Sequence, residues 1–555
     1  VDLQQLLEEL AKKQSVRLDA RKKRLQGLDL ILNRKYYHLL GLPEFDKRYT
    51  AGETTTRNKY LPIDKRRSAA SYDLPGIIVR DLNAQLCGKG KFPVVTLDDD
   101  DATRAFAEYI RLADLESVMD HAADAAAIGG VVIVPEAFTP DDDASNPTLA
   151  FSYWKAYEVD LVFERNAPNT LSSATRTWEV SRSALHSDGY DVDALERVWA
   201  AKVLSLRASR RRLPSDKKPA QHPKWVMRRV LDKQASTWYL PVPVKVYESR
   251  DWDDLTKNGV EPWEVDADRT IAHDLGFCPA VWHIPAKGDA AYAPDGRCVF
   301  EGAVDNKLAI DKIMSIGVQA VVMAGTPQLA IANGGGGSGA DEIEGPNPSD
   351  EGFDPEDVIE VEEKGGAWLV QLDGGALTPL DIVLRRLRDM GLENEGGSRI
   401  TEESLAGAKS GYAMELLNQA LTYVAGKMRP YFAKTLVRLV RLLARMREAF
   451  NGLECEEGPL PDFNLKAKVK QISFGPYYEL TGQDKQAETA AVIALVQGGL
   501  MTAETAITYI AQFFDVTDVE AEISNVKSQT AAASDLDHQR AVELKQTAPP
   551  KENAA

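Results

Sequence analysis

Cysteine is scarce in this 555-residue chain. Cys87, Cys278, Cys298 and Cys455 are scattered, and no two stand at a paired spacing. That speaks against a structural zinc site or a disulfide framework and fits a reducing compartment. Long apolar runs are missing too. A membrane helix needs about 20 such residues, and the nearest stretch, 125–134, contains Gly129 and Gly130. No membrane partner is therefore expected, and residues 1–40 carry no signal-peptide pattern. Basic residues are outnumbered, 66 Lys and Arg against 84 Asp and Glu, for a net charge of −18. A protein that coats DNA is basic. An acidic one can still let a duplex slide past, because it does not grip the phosphates.

Catalytic signatures are equally wanting. A phosphate loop reads G-x-x-x-x-G-K-[ST]. The nearest approach is Gly407-Ala408-Lys409-Ser410-Gly411, with Ala408 where a glycine is required and Glu403 where the first glycine belongs. The glycines at 334–337 lack a following lysine and the Rossmann spacing. There is no G-x-S-x-G, no H-E-x-x-H and no Cys/His pair in catalytic context. His273 and His283 have no companion acid pattern and read as structural. The acid run 98–101 precedes an amphipathic helix, so it reads as a helix cap rather than a metal site. No catalytic residue, metal ligand or cofactor is assigned, and the chain is not expected to be an enzyme.

What the sequence does contain is one long periodic stretch, 404–450. Its apolar residues Ala413, Leu417, Leu421, Val424, Met428, Phe432, Leu436, Leu439, Leu443, Met446 and Phe450 step by three or four. One buried stripe on a single helix of roughly 70 Å follows. Pro430 would clash with the carbonyl of Gly426, and because the stripe stays in phase on both sides a kink is expected there rather than a stop. Lys434, Arg438, Arg441 and Arg445 share one face, read as a solvated or inter-subunit surface in preference to a nucleic-acid contact.

Around this helix the length suggests two to four domains. Residues 1–40 read as one amphipathic helix, 71–91 as a second and 102–127 as a third. Aromatic-rich alternation at 131–134, 149–154, 161–164, 175–180, 224–231, 236–241 and 244–249 predicts an antiparallel sheet domain over 128–285, with the basic insert 207–218 as an exposed loop. A helix over 301–322 has Ile310, Met314, Gly317 and Val321 on one side. Strands at 329–332, 358–363 and 367–372 then flank a glycine-rich acidic stretch. Thr378 and Pro379 open a helix with an apolar seam of Leu380, Leu384 and Leu387, stopped by Gly391. A polar loop leads to the long helix. Beyond it come a strand at 463–474, a helix at 483–497, a helix capped by Thr502, a capping box of Thr517 and Glu520, and a tail from about 530 of disordered composition.

This order resembles the portal proteins of tailed double-stranded DNA bacteriophages, the siphophage type in particular. Lys409-Ser410-Gly411-Tyr412-Ala413-Met414 is similar to that family's S-G-x-A-hydrophobic lead into its long helix. Gly498-Gly499-Leu500-Met501-Thr502-Ala503-Glu504-Thr505-Ala506 resembles its late G-hydrophobic-[ST]-x-E-T-A turn, and Gly276-Phe277-Cys278-Pro279 its G-x-x-P step. The stretch 333–357 and the Arg-rich insert near 210 depart from the pattern.

The resemblance implies an α+β, portal-type ring subunit: an α/β wing over 1–300, stem helices at 301–322 and 378–390, and a small β-containing clip at 323–377. It further implies a tunnel loop at 391–403, a long kinked helix with a wing return strand over 404–482, and a helical crown at 483–530. Asn394, Glu395, Gly396, Gly397, Ser398, Arg399, Ile400 and Thr401 would line the DNA channel, Arg385 and Arg388 would face DNA from the stem, and Gly426 with Pro430 would kink the long helix. The implied partners are further copies in a dodecamer, double-stranded DNA, the terminase large subunit, a head–tail adaptor, and the major capsid protein with its scaffold. The implied place is the capsid vertex of the virion, after assembly in the host cytoplasm. A DNA-processing enzyme (nuclease or packaging ATPase) and a head–tail adaptor ring are the alternatives.

Overall fold

A computed structural model of the chain describes residues 3–13, 19–37, 70–88, 90–138, 148–209, 222–249, 252–253, 262–288, 294–325, 328–332, 366–370, 377–397, 414–416, 418–478, 482–511 and 522–529. It divides into two units, Val1–Arg399 with Gln419–Gly475, and Ile400–Asn418 with Pro476–Ala555. The fold class is α+β, as the sequence predicts.

Caps and local strain cut the predicted N-terminal helices into shorter ones. Residues 1–40 form α1 (Leu3–Lys13) and α2 (Ala20–Leu32), not one helix. Asp19 takes the N-cap of α2, its carboxylate accepting the Lys22 N–H, and satisfies a donor that would otherwise be orphaned. α3 spans Leu74–Ala84, with Pro75 in its first turn. The predicted 102–127 helix is two, α4 (Asp100–Leu112) and α5 (Leu115–Ala126), broken at Asp114, whose φ is +43°. Asp99 caps α4 by accepting the Asp101 N–H, so the acid run caps a helix as expected.

The predicted sheet domain is two five-stranded sheets. One orders β4 (Val159–Glu164), β5 (Ala167–Ser181), β6 (Lys224–Leu231), β7 (Ala235–Pro243) and β8 (Val265–Ala272), antiparallel throughout. The other orders β13 (Gly458–Pro459), β12 (Glu454–Cys455), β3 (Thr148–Lys155), β2 (Val131–Phe138) and β9 (Val281–His283), with β12 parallel to β3. Three expectations needed correction. Residues 244–247 make a helical turn, α8 (Val244–Tyr247), instead of a strand. Strand β8, with the polar sequence VDADRTIA, carries too little apolar alternation to be read. Residues 182–209 fold as α6 (Arg182–Ser187) and α7 (Val192–Ser209), so the basic insert begins inside a helix; 210–218 lie outside the described residues.

A ladder of cations and rings joins the two sheets. Arg176 and Arg229 are direct cross-strand partners, an arrangement that alone is repulsive. Glu158 and Glu136 pair with them, each at 2.8 Å. Their guanidinium groups lie 4.4 Å from the Trp178 ring and 4.8 Å from the Trp238 ring, respectively, and both flank the fully buried Trp154 of β3. Neutralised charge stacked on aromatic faces is favourable where bare charge is not.

The apolar stripe holds this unit together. Helix α9 (Val304–Gly325) leads into the hairpin β10 (Gln328–Ala332) and β11 (Gly366–Val370), and α10 (Leu377–Glu395) returns from it. The expected strand at 358–363 lies outside the described residues. Helix α11 spans Gln419–Phe450 and buries Leu421, Met428, Phe432, Leu436, Leu439, Leu443 and Met446, the predicted positions. At 32 residues it is about 48 Å long, shorter than the roughly 70 Å predicted. Asn418, a residue type favoured just ahead of a helix, stands in a turn immediately before it. The return strand β14 (Val469–Ser473) pairs with β1 (Val94–Leu97). The α11 cations are partly absorbed in packing: Arg441 donates to the Ala467 carbonyl at 3.1 Å, and Arg445 lies over the Phe277 ring.

The smaller unit follows the sequence closely. Helix α12 (Gly482–Gln497) ends at Gly499, φ +68°, where the Leu500 N–H reaches back to the Leu495 carbonyl and the Gly499 N–H to that of Val496. That is the glycine-closed C-terminal turn expected of a Gly-Gly pair. Thr502 caps α13 (Ala503–Ala511) through the Thr505 N–H. Thr517, Glu520 and the tail from 530 lie outside the described residues.

His283 is structural, as the sequence suggests. Its Nδ1 lies 2.9 Å from the Thr435 hydroxyl oxygen, and the Thr435 proton goes to the Tyr431 carbonyl. The imidazole is thus the donor. Complete burial pushes its pKa down to about 4. A depressed histidine contributes stability that is present above its unfolded pKa near 6.5 and lost as pH falls toward 4. Chemical denaturation between pH 7 and pH 4.5 should therefore show a decline on the order of 2–3 kcal/mol that His283→Gln, still able to bond Thr435, largely removes.

Candidate functional site

The two helices flanking the β10–β11 hairpin form an antiparallel pair. Gly302, in the turn just before α9, faces Glu395, Asn306 faces Gly391, and Gly317 faces Leu380 at ordinary contact distance, a constant register along the pair. A Cβ on Gly391 would stand 2.7 Å from Leu74 Cδ2 and 3.4 Å from Asn306 Cβ. Gly391 therefore does not stop α10 as predicted. It lies inside the helix and lets α3 and α9 close on it. The true stop is Gly396, φ +72°, after which the Gly397 N–H bonds the Leu392 carbonyl at 2.7 Å.

This shift changes the predicted channel loop. Asn394 and Glu395 belong to the last turn of α10. Glu395 is 4% exposed, accepting the Gly302 N–H at 2.5 Å and Arg297 at 3.0 Å. Burial raises its pKa, opposed by that N–H and by Arg297. Its carboxylate is occupied inside the protein. Gly396 packs on Ala420 and Val424, and Gly397 on Leu392 and Ile78. Ser398, Arg399, Ile400 and Thr401 lie outside the described residues. On α10 the exposed Arg385 pairs with Asp381 at 3.0 Å, and Arg388 is half-buried with its Nε lacking a partner among the described residues. The same helix leaves Ile382 (61% exposed), Val383 and Met390 uncovered, and α9 adds Val318. Gly426 and Pro430 both sit on the exposed side of α11, which continues through the proline without stopping.

Sequence reasoning did not mark the buried polar residues of α9. Beside the buried Val304, Leu308 and Ile310, the helix carries Lys307, Asp311 and Ser315, each with no exposed surface. Lys307 and Asp311 pair at 2.6 Å, and burial lowers the lysine pKa against the pull of Asp311. A Lys and an Asp four apart read as a solvent-facing helix pair, so nothing local marked them. Among the described residues no three acids, histidines or cysteines converge on a metal-binding geometry.

The chain thus combines an α+β body with paired helices around a hairpin, a following long stripe helix and an uncovered apolar face on the helix pair. The family described as phage portal protein, SPP1 Gp6-like, matches residues 243–536, just over half of the sequence, and the chain belongs to it. The family is structural and non-enzymatic, and membership carries an oligomeric ring, association with the capsid and a place at its vertex. Comparison with individual curated proteins returns no match. No helix among the described residues is long and apolar enough to cross a membrane.

Gly391 gives a direct check on the packing of α10. In an open helix, Gly→Ala gains about 1 kcal/mol. Because Leu74 and Asn306 occupy the space a methyl would need, Gly391→Ala should instead lose roughly 1–3 kcal/mol, read as a lowered thermal midpoint.

Proposed function

We propose that this chain is the subunit of the pore at one capsid vertex through which double-stranded DNA is packaged and later ejected. The observation that carries the reading is the family match over 243–536, which takes in the whole run from α9 to α13. The ring is dodecameric. It docks the terminase large subunit first and a head–tail adaptor afterwards, and it assembles in the host cytoplasm with the major capsid protein and scaffold.

In this reading the first 300 residues and the strand after the long helix are the wing, and α9 and α10 are the stem. The β10–β11 hairpin belongs to the clip, and α12 with α13 to the crown. Two physical features support it. Ile382, Val383, Met390 and Val318 leave apolar surface on the stem that a neighbouring subunit would cover. A chain of net charge −18 does not hold phosphates, so the duplex can move. α10 extends to Glu395, so in this reading the channel loop begins later than Asn394. Ser398, Arg399, Ile400 and Thr401 are its remaining lining candidates, with Arg399 as the cation each subunit contributes. Arg385 and Arg388 face the bore from the stem, and the Gly426–Pro430 kink sets the direction of the long helix below the loop.

Negative-stain electron microscopy of the purified protein should show rings with a central channel. Ile382→Asp should leave the circular dichroism spectrum and thermal midpoint of the subunit unchanged while abolishing rings; rings that persist would remove the stem face from the interface. Arg399→Glu should assemble normally and package or retain less DNA. A photoreactive group at position 399 should reach DNA in filled heads, and labelling of capsid alone would take the loop out of the channel.

A further inference from the structure

Helix α9 meets the N-terminal part of the chain, which lies outside the matched stretch, at one polar node centred on the fully buried Tyr36, Lys307, Asp311 and Ser315. Asp311 uses both oxygens. Its Oδ2 accepts Lys307 Nζ at 2.6 Å, the Tyr36 hydroxyl at 2.6 Å and the Tyr37 hydroxyl at 3.1 Å, and its Oδ1 accepts the Tyr72 N–H at 2.7 Å. Lys307 directs its three protons to Asp311, to the Tyr36 oxygen at 2.9 Å and to Ser71 Oγ at 3.2 Å. One turn further on, Ser315 Oγ accepts the Ala70 N–H at 3.3 Å and donates to the Asp311 carbonyl at 2.7 Å. The donor and acceptor capacity of the ion pair is thus filled.

The contacts come from two places in the chain. Tyr36 and Tyr37 follow α2, and Ala70, Ser71 and Tyr72 lead into α3. One carboxylate therefore holds two roots, the exit of α2 and the entry to α3. If tight attachment were all that mattered, apolar side chains of similar volume would do as well or better, since a buried ion pair bears a large desolvation cost. What the pair supplies and an apolar patch does not is direction: the donors fit at one position along α9 and no other. A one-turn slip would leave a buried charge without its partner.

We infer that the Lys307–Asp311 pair is a registration device that sets residues 35–37 and 70–72 at one fixed point on the stem helix and couples those two roots to each other through a shared carboxylate. Displacement of α9 along its axis is then transmitted to both roots together. The inference concerns the subunit itself and stands independently of the pore reading.

Hydrogen–deuterium exchange on the full-length protein tests it. Tyr36→Phe removes one hydroxyl and no volume. It touches only the first root, and exchange at the 70–72 amides should nonetheless accelerate at least tenfold. Acceleration confined to 33–37 would overturn the coupling. The double variant Lys307→Met/Asp311→Leu replaces the pair by apolar groups. It should unfold at a midpoint close to that of the unaltered protein while both roots lose protection. The single variant Asp311→Asn should shift the unfolding equilibrium on the order of a hundredfold or more, because it leaves Lys307 buried and unpaired. A double variant that keeps full protection at 35–37 and 70–72, or one that fails to fold, would overturn the registration role: the first would make the pair dispensable, the second would make it a source of stability.

Discussion

Close approach of two helices is the constraint on which the functional half of this chain depends. α10 is brought against α3, α9 and the turn before α9 at two glycines: a Cβ on Gly391 would stand 2.7 Å from Leu74, and one on Gly302 would stand 2.5 Å from the Glu395 carboxylate. A side chain at either would force these groups to shift. Glu395, which bonds the Gly302 N–H and Arg297, would then lose its partners while still buried. Gly396, at φ +72°, ends α10 one residue past this buried carboxylate. Backbone proximity comes first and polar satisfaction second.

Polar groups elsewhere in the larger unit obey the same accounting. Buried charge is tolerated where it is neutralised and every donor is used. The Arg176 and Arg229 guanidinium groups each have a carboxylate and a tryptophan face. Lys307 and Asp311 have a complete set of partners. These arrangements do not come from the apolar core, yet they decide how its layers align. An apolar contact allows sliding, whereas a directional bond does not.

Family membership sits well with these physics. A structural ring subunit needs no convergent reactive groups, and burial shifts His283, Glu395 and Lys307 each toward its neutral form. Each is engaged with protein groups. The apolar surface left uncovered includes Ile382, Val383 and Met390 of α10 and Val318 of α9, where a repeated neighbour has something to bury.

The sequence by itself determined the elements whose signal is local. The α11 stripe, the Asp99 and Thr502 caps, the Gly499 turn and most strands could be read because periodicity and capping depend on residues only a few positions apart. Motif order was enough to indicate the family. Local reading failed where one residue type serves two ends. Gly391 looked like a helix stop and is a helix contact, while Gly396, five positions on, is the stop. Glu395 looked like a loop acid and is a buried acceptor. Lys307 and Asp311 carry no local mark of burial, and their partners Tyr36 and Tyr72 are more than 200 positions away in the chain. Only the tertiary structure could decide these, because whether a polar or glycine residue faces water, a helix or a charge is set by what the rest of the chain brings against it.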